Sequence, residues 1–69
     1  MSQVYVYLII TENGIEYVYS SYFKALKLFS EMLAYCKALD IIEEESEDYY
    51  KTTGESFCKI EKRAVLWYT

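Results

Sequence analysis

This sequence of 69 residues contains no histidine and no proline, and only two glycines and two cysteines. Without histidine the commonest acid–base side chain is missing, and with it every Ser-His or Cys-His nucleophile pair. Gly14 and Gly54 cannot by themselves build a phosphate-cradling loop. Cys36 and Cys58 belong to no paired-cysteine motif, so reduced, partly buried thiols are expected in preference to a disulfide. No apolar run approaches the roughly 18–20 residues that cross a bilayer, and the first residues have no basic segment leading into an apolar one. These absences argue against an enzyme, against a cofactor and against a membrane protein, and they point to the cytoplasm.

Positive charge is also scarce. Seven Lys and Arg against eleven Asp and Glu give a net charge of −4. That balance disfavours the phosphate-neutralising patch of a nucleic-acid binder and suits contact with a basic protein surface.

What the chain does have is tyrosine, nine of them, within a 54% hydrophobic composition. Tyrosine joins a large apolar ring to a hydroxyl that needs a partner, so it favours half-wet surfaces and interfaces. A chain this short forms one domain, spanning 1–69, and a core below roughly 70–80 residues rarely supplies more than about 3–5 kcal/mol. So small an interior cannot hide this much apolar surface. Some of it is expected to be exposed or covered by another chain, as in a homodimer.

Residues 4–19 read as a β-hairpin. Val4-Tyr-Val-Tyr-Leu-Ile-Ile10 and Ile15-Glu-Tyr-Val-Tyr19 are β-branched and aromatic, and Asn13-Gly14 between them suits a two-residue type I′ turn. That turn pairs Glu12 with Ile15, Ile10 with Tyr17 and Leu8 with Tyr19. Val4, Val6, Leu8, Ile10, Tyr17 and Tyr19 then share one face, and Tyr5, Tyr7, Ile9 and Val18 lie on the other. Residues 22–39 read as a helix after a Ser20 or Ser21 cap, with Tyr22, Leu26, Phe29, Leu33 and Cys36 recurring at spacings of four and three. Residues 40–54 fit either a solvated loop or a short second helix within 43–52, with Thr53-Gly54 as a turn. Phe57 to Tyr68 reads as a last strand. Ile60, Ala64, Leu66 and Tyr68 share one parity and Phe57, Val65 and Trp67 the other. Lys62 falls on the apolar parity, which suggests a bulge near Glu61-Lys62-Arg63, and a hairpin there is an alternative.

The expected architecture is therefore a two-layer ββαβ α+β domain, with one long helix on one face of an antiparallel sheet. The aliphatic face is the natural partner of the helix. That choice leaves Tyr5, Tyr7, Ile9, Val18, Val65 and Trp67 as an exposed, interface-like patch. A second candidate is the acid run Glu43, Glu44, Glu45, Glu47 and Asp48. It leads into Tyr49 and Tyr50, where charges for a basic partner would sit beside apolar anchors. The run lacks the central glycine and the Asp-x-Asp alternation of an EF-hand, so no metal is implied.

The reading that follows is a non-enzymatic protein-binding module. Two alternatives stand beside it: a small nucleic-acid-binding domain that stacks bases on the aromatic face near Lys59, Lys62 and Arg63, and a structural subunit of a larger assembly. Val4 to Leu39, with its Val-Tyr-Val-Tyr strand, Asn-Gly hairpin and Lys/Leu-rich helix, resembles small acidic accessory proteins of bacteriophages. That resemblance implies a stoichiometric inhibitor of a host or defence protein.

Overall fold

The computed structural model describes the backbone of residues 2–67 and the side chains of residues 4–65. The elements run β1 (Ser2–Thr11), β2 (Gly14–Tyr19), α1 (Tyr22–Ala38), β3 (Ile42–Glu45), β4 (Tyr49–Thr52) and β5 (Phe57–Trp67). They make one antiparallel five-stranded sheet in the order β2-β1-β5-β4-β3, with α1 packed on it, a two-layer α+β fold. The segment between α1 and β5 contributes two further strands, so no second helix forms within 43–52.

The first hairpin turns one residue earlier than its Asn-Gly dipeptide suggests. Thr11 pairs with Gly14, so Glu12 and Asn13 are the loop residues. Only Gly14 of the three has positive φ, at 104°. A glycine in that region directly after a two-residue turn belongs to the type I turn with a glycine bulge. The Asn13 N–H donates to Thr11 Oγ1 at 3.1 Å, which fixes the turn locally.

A second irregularity follows. Ile10 faces Ile15 while Ile9 faces Tyr17, leaving Glu16 as the extra residue of β2. Beyond it Leu8 pairs with Val18 and Tyr7 with Tyr19, one residue away from the expected register. A shift of one turns every side chain of β2 over relative to β1.

The helix covers the face opposite to the one expected. Ile9 is fully buried with Ala25, Phe29, Tyr50, Cys58 and Ile60, and Tyr7, Tyr19 and Tyr22 pack around them. Rings suit this position. One helix is about 10 Å wide and cannot roof a five-stranded sheet, whereas a tyrosine reaches out from beneath it and returns its hydroxyl to water. Tyr7 meets Tyr22 edge-on with centroids 5.6 Å apart, and Phe29 lies 5.4 Å from Tyr50. Burying Ile9 and Phe29 contributes about 2–3 kcal/mol each.

Helix α1 starts after Ser21, whose backbone is extended but whose hydroxyl makes no capping bond. At its other end Asp40 takes φ 57°, with its N–H bonded to the Lys37 carbonyl and the Ile41 N–H to that of Cys36. This is a Schellman ending with aspartate where glycine is usual. It directs the chain back into β3.

Strand β5 pairs with β1 in unbroken register from Trp67 opposite Ser2 to Cys58 opposite Thr11. Neither a bulge nor a hairpin occurs at Glu61-Lys62-Arg63. Lys62 is accommodated on the helix-side face with its ammonium 4.2 Å from the centre of the Tyr5 ring. Near that end β1 and β5 extend past β2 and β4 as a two-stranded ribbon, and the molecule measures 48 × 20 × 16 Å.

Replacing Gly14 tests the turn. Gly14→Ala places a Cβ in a left-handed conformation, although nothing lies within 4 Å of it. The variant is expected to lose about 1–2 kcal/mol in urea denaturation. Gly54→Ala, at negative φ with only Thr52 Oγ1 near at 3.9 Å, should stay within about 0.5 kcal/mol of the parent. Equal effects at the two positions would contradict the turn assignment.

Candidate functional site

With α1 on the Tyr7/Ile9 side, the side without a helix carries Val4, Val6, Leu8 and Ile10 of β1, Ile15 and Val18 of β2, and Val65 of β5. Val4 is 41% exposed, Ile15 54% and Val18 59%. Leu8 is only 4% exposed despite lacking a helix above it, because Val18 and Glu61 flank it on the adjacent strands. Along β5 the same face carries Lys59, Glu61 and Arg63. The Glu61 carboxylate lies 4.0 Å from Lys59 and pairs with the Arg63 guanidinium.

The patch foreseen from sequence is therefore divided. Tyr5, Tyr7 and Ile9 belong to the helix side, where Ile9 is sealed, Tyr7 is half-buried and Tyr5 is 42% exposed at the edge. Val18 and Val65 belong to the open side, and the side chain of Trp67, like that of Leu66 and the whole of Tyr68, lies outside the described residues. The separation follows from the register shift at Glu16 together with the choice of face beneath the helix.

The acidic segment forms the β3–β4 hairpin. Glu43 is the extra residue of a bulge, Glu44 faces Lys51, Glu45 faces Tyr50, and Glu47 and Asp48 lie in the connecting loop. All five acids are exposed. Glu45 reaches Lys37 at 2.9 Å, an exposed pair worth about 0–1 kcal/mol. The two tyrosines part company, because neighbouring residues of a strand face opposite ways. Tyr50 is 4% exposed, its ring packed in the core cluster. Tyr49 is half-buried on the open side and stacks on Phe57 at 6.5 Å.

The structure has a cleft of about 480 Å³ between the first hairpin, the Leu28-Met32-Cys36 ridge of α1, and β4. Glu12 and Glu16 lie along its hairpin side, and Tyr17, Ile41 and Tyr50 contribute to its walls. The Phe57 N–H donates to the Glu12 carboxylate at 3.3 Å, and the Thr11 hydroxyl donates to Glu16 at 3.1 Å. Backbone N–H groups, its own first and then that of Phe57, hold the Glu12 carboxyl below the usual carboxylate range. Leu28, Met32 and Cys36 fall four residues apart, a signal present in the sequence. The contribution of the hairpin depends on the Glu16 bulge and was not legible.

At the base of the cleft Cys36 points its thiol at the Tyr50 hydroxyl, 3.9 Å away. Both cysteines are free. Burial pushes the Cys58 thiol up from its ordinary 9 to about 11, and burial, followed by the adjacent thiols, raises the Tyr50 phenol as well. A buried thiol with a raised pKa is a poor nucleophile. Among the described residues, no three Cys, Asp or Glu gather to hold a metal ion, and no helix is long and apolar enough to cross a membrane. Compared with known proteins, the chain matches no family model, no curated protein and no solved structure at a significant level.

Raised pKa values in the folded state give alkaline sensitivity. Below pH 9 the Cys58 thiol is protonated whether folded or not, and its contribution to stability is constant. Between pH 9 and 11 the unfolded thiol ionises while the folded one does not, so stability falls. Urea denaturation should show a loss of about 1–2 kcal/mol across that window, reduced in Cys58→Ala. Iodoacetamide at pH 8 should label Cys36 first, and Cys58 only on unfolding. Early labelling of Cys58 would contradict its burial.

Proposed function

We propose that this protein is a non-enzymatic protein-binding module, which pairs with a second copy through its open sheet face and meets a basic partner through its acidic hairpin. The observation that carries this reading is the aliphatic face of β1, β2 and β5 that no helix covers. Antiparallel sheets that turn one face to water usually place polar side chains there. This one places Val4, Val6, Leu8, Ile10, Ile15 and Val18 there instead.

Several of these side chains are substantially exposed, Val4 at 41%, Ile15 at 54% and Val18 at 59%, and a standard interface would cover about 800 Å² per partner. Charge favours a second copy as the occupant. Along β5 the one Glu61 carboxylate is shared by Lys59 and Arg63, a local sum of +1, so the acid excess behind the net charge of −4 does not lie on this face. Glu43, Glu47 and Asp48, with Glu44 opposite Lys51, then stay exposed for a Lys- or Arg-rich surface. Occupying such a surface stoichiometrically is the inhibitory mode implied by the likeness to bacteriophage accessory proteins, and the two free thiols accord with the cytoplasm.

Sedimentation over roughly 10–500 μM tests the pairing, since a standard-sized interface is consistent with micromolar association. The parent should dimerise, and Val4→Lys/Val18→Lys should sediment as a monomer with an unchanged circular dichroism spectrum. A parent that stays monomeric throughout, or a double variant that dimerises equally well, refutes self-association through this face.

A further inference from the structure

The helix side of the molecule has its own recognition feature, independent of the open sheet face. We infer that the cleft between the first hairpin and the Leu28-Met32-Cys36 ridge receives an arginine side chain from a protein partner. The inference rests on the reading of this chain as a binder of basic proteins and supplies the residue-level contact for it.

Three features determine the occupant. The first is size: at about 480 Å³ the cleft lies in the range of sites that enclose a ligand group. The second is charge. Glu12 and Glu16 both line it, and no Lys or Arg does. Neither carboxylate takes part in an ion pair among the described residues. Both are held in place by neutral donors, the Phe57 N–H and the Thr11 hydroxyl, so lone pairs remain for a cation. The third is the apolar remainder, where Leu28, Met32 and Ile41 provide a surface for a methylene stem and Tyr17 a ring beside the carboxylates. A planar cation on an aliphatic stem satisfies all three. Guanidinium does so better than ammonium, because it accepts two carboxylates in a fork and lies flat on an aromatic ring.

The β2 bulge builds this arrangement. In regular alternation Glu16 and Tyr17 would face opposite sides of the sheet. With Glu16 as the extra residue, both turn toward the helix and line the cleft together. Bulges commonly re-aim a side chain in this way beside functional sites. Across the ridge a second depression of about 340 Å³ continues past Tyr35 to Glu31. The residues flanking an inserted arginine therefore have an apolar trough, with a further carboxylate at its end.

Nuclear magnetic resonance titration of the full chain tests this with defined probes. N-acetyl-argininamide should shift the amides of 11–17 and 28–36, with an affinity on the order of 1 mM. Its uncharged isostere N-acetyl-citrullinamide should bind roughly tenfold more weakly. Glu12→Gln and Glu16→Gln, whose side-chain oxygens still accept the Phe57 and Thr11 bonds, should each weaken the arginine probe about three- to tenfold. Asp40→Asn, an exposed acid outside the cleft, should leave it unchanged. N-acetyl-arginine, with its amine blocked and its α-carboxylate free, should bind less well than the argininamide, because that carboxylate meets Glu12 and Glu16. Equal binding of citrullinamide, shifts centred on 43–48, or a preference for N-acetyl-arginine would each overturn the proposal. These readouts concern the cleft alone, so their failure would leave the sedimentation result at the open face standing.

Discussion

The constraint on which the rest depends is the pairing of β1 with β2. Strand β1 lies inside the sheet, between β2 and β5, and its two faces have different chemistry: tyrosine and Ile9 on one, aliphatic residues on the other. The glycine bulge at the turn and the extra residue at Glu16 decide which β2 side chains join each face. With them Tyr17 and Tyr19 lie beside Ile9 and Tyr7, and the ring-bearing layer is continuous across both strands. The helix packs on that layer, around Phe29 and Ala25. Without the bulge β2 would offer a valine where the core needs a ring.

This explains which parts of the fold could be read from the sequence. Hairpin, helix and last strand announce themselves through local chemistry: β-branched runs, a glycine after asparagine, apolar residues at three and four. Strands β3 and β4 do not, because each is only four residues long and three of the four in β3 are glutamates. They are strands because Tyr50 and Thr52 are drawn into the core opposite Cys58 and Ile42, a long-range cause. The facing of β1 was illegible for a similar reason. Hydrophobicity alone ranks the valine face as the better core, whereas a single narrow helix favours side chains long enough to reach out from under it. Tyr50 illustrates the cost of treating adjacent residues alike: its neighbour Tyr49 shares its type and its sequence context, yet one is core and the other is surface.

The two sides of the sheet consequently do different electrostatic work. On the open side Glu61 lies between Lys59 and Arg63 and Glu44 stands across from Lys51, so cations slightly outnumber carboxylates there. On the helix side and at the β3–β4 loop, the carboxylates of Glu12, Glu16, Glu31, Glu47 and Asp48 have no cation close by among the described residues. The net charge of −4 is thus concentrated away from the aliphatic face. At physiological salt, charges separated by more than about 8 Å hardly sense one another. Local balance therefore governs each contact, more than the total. On the proposed reading, a face that is apolar and spared the acid excess suits another copy of the chain, and a cleft that is apolar and locally negative suits a cation on a hydrocarbon stem. Pairing through the first would leave the second facing outward on both copies, so self-association and capture of a basic partner do not compete for the same residues.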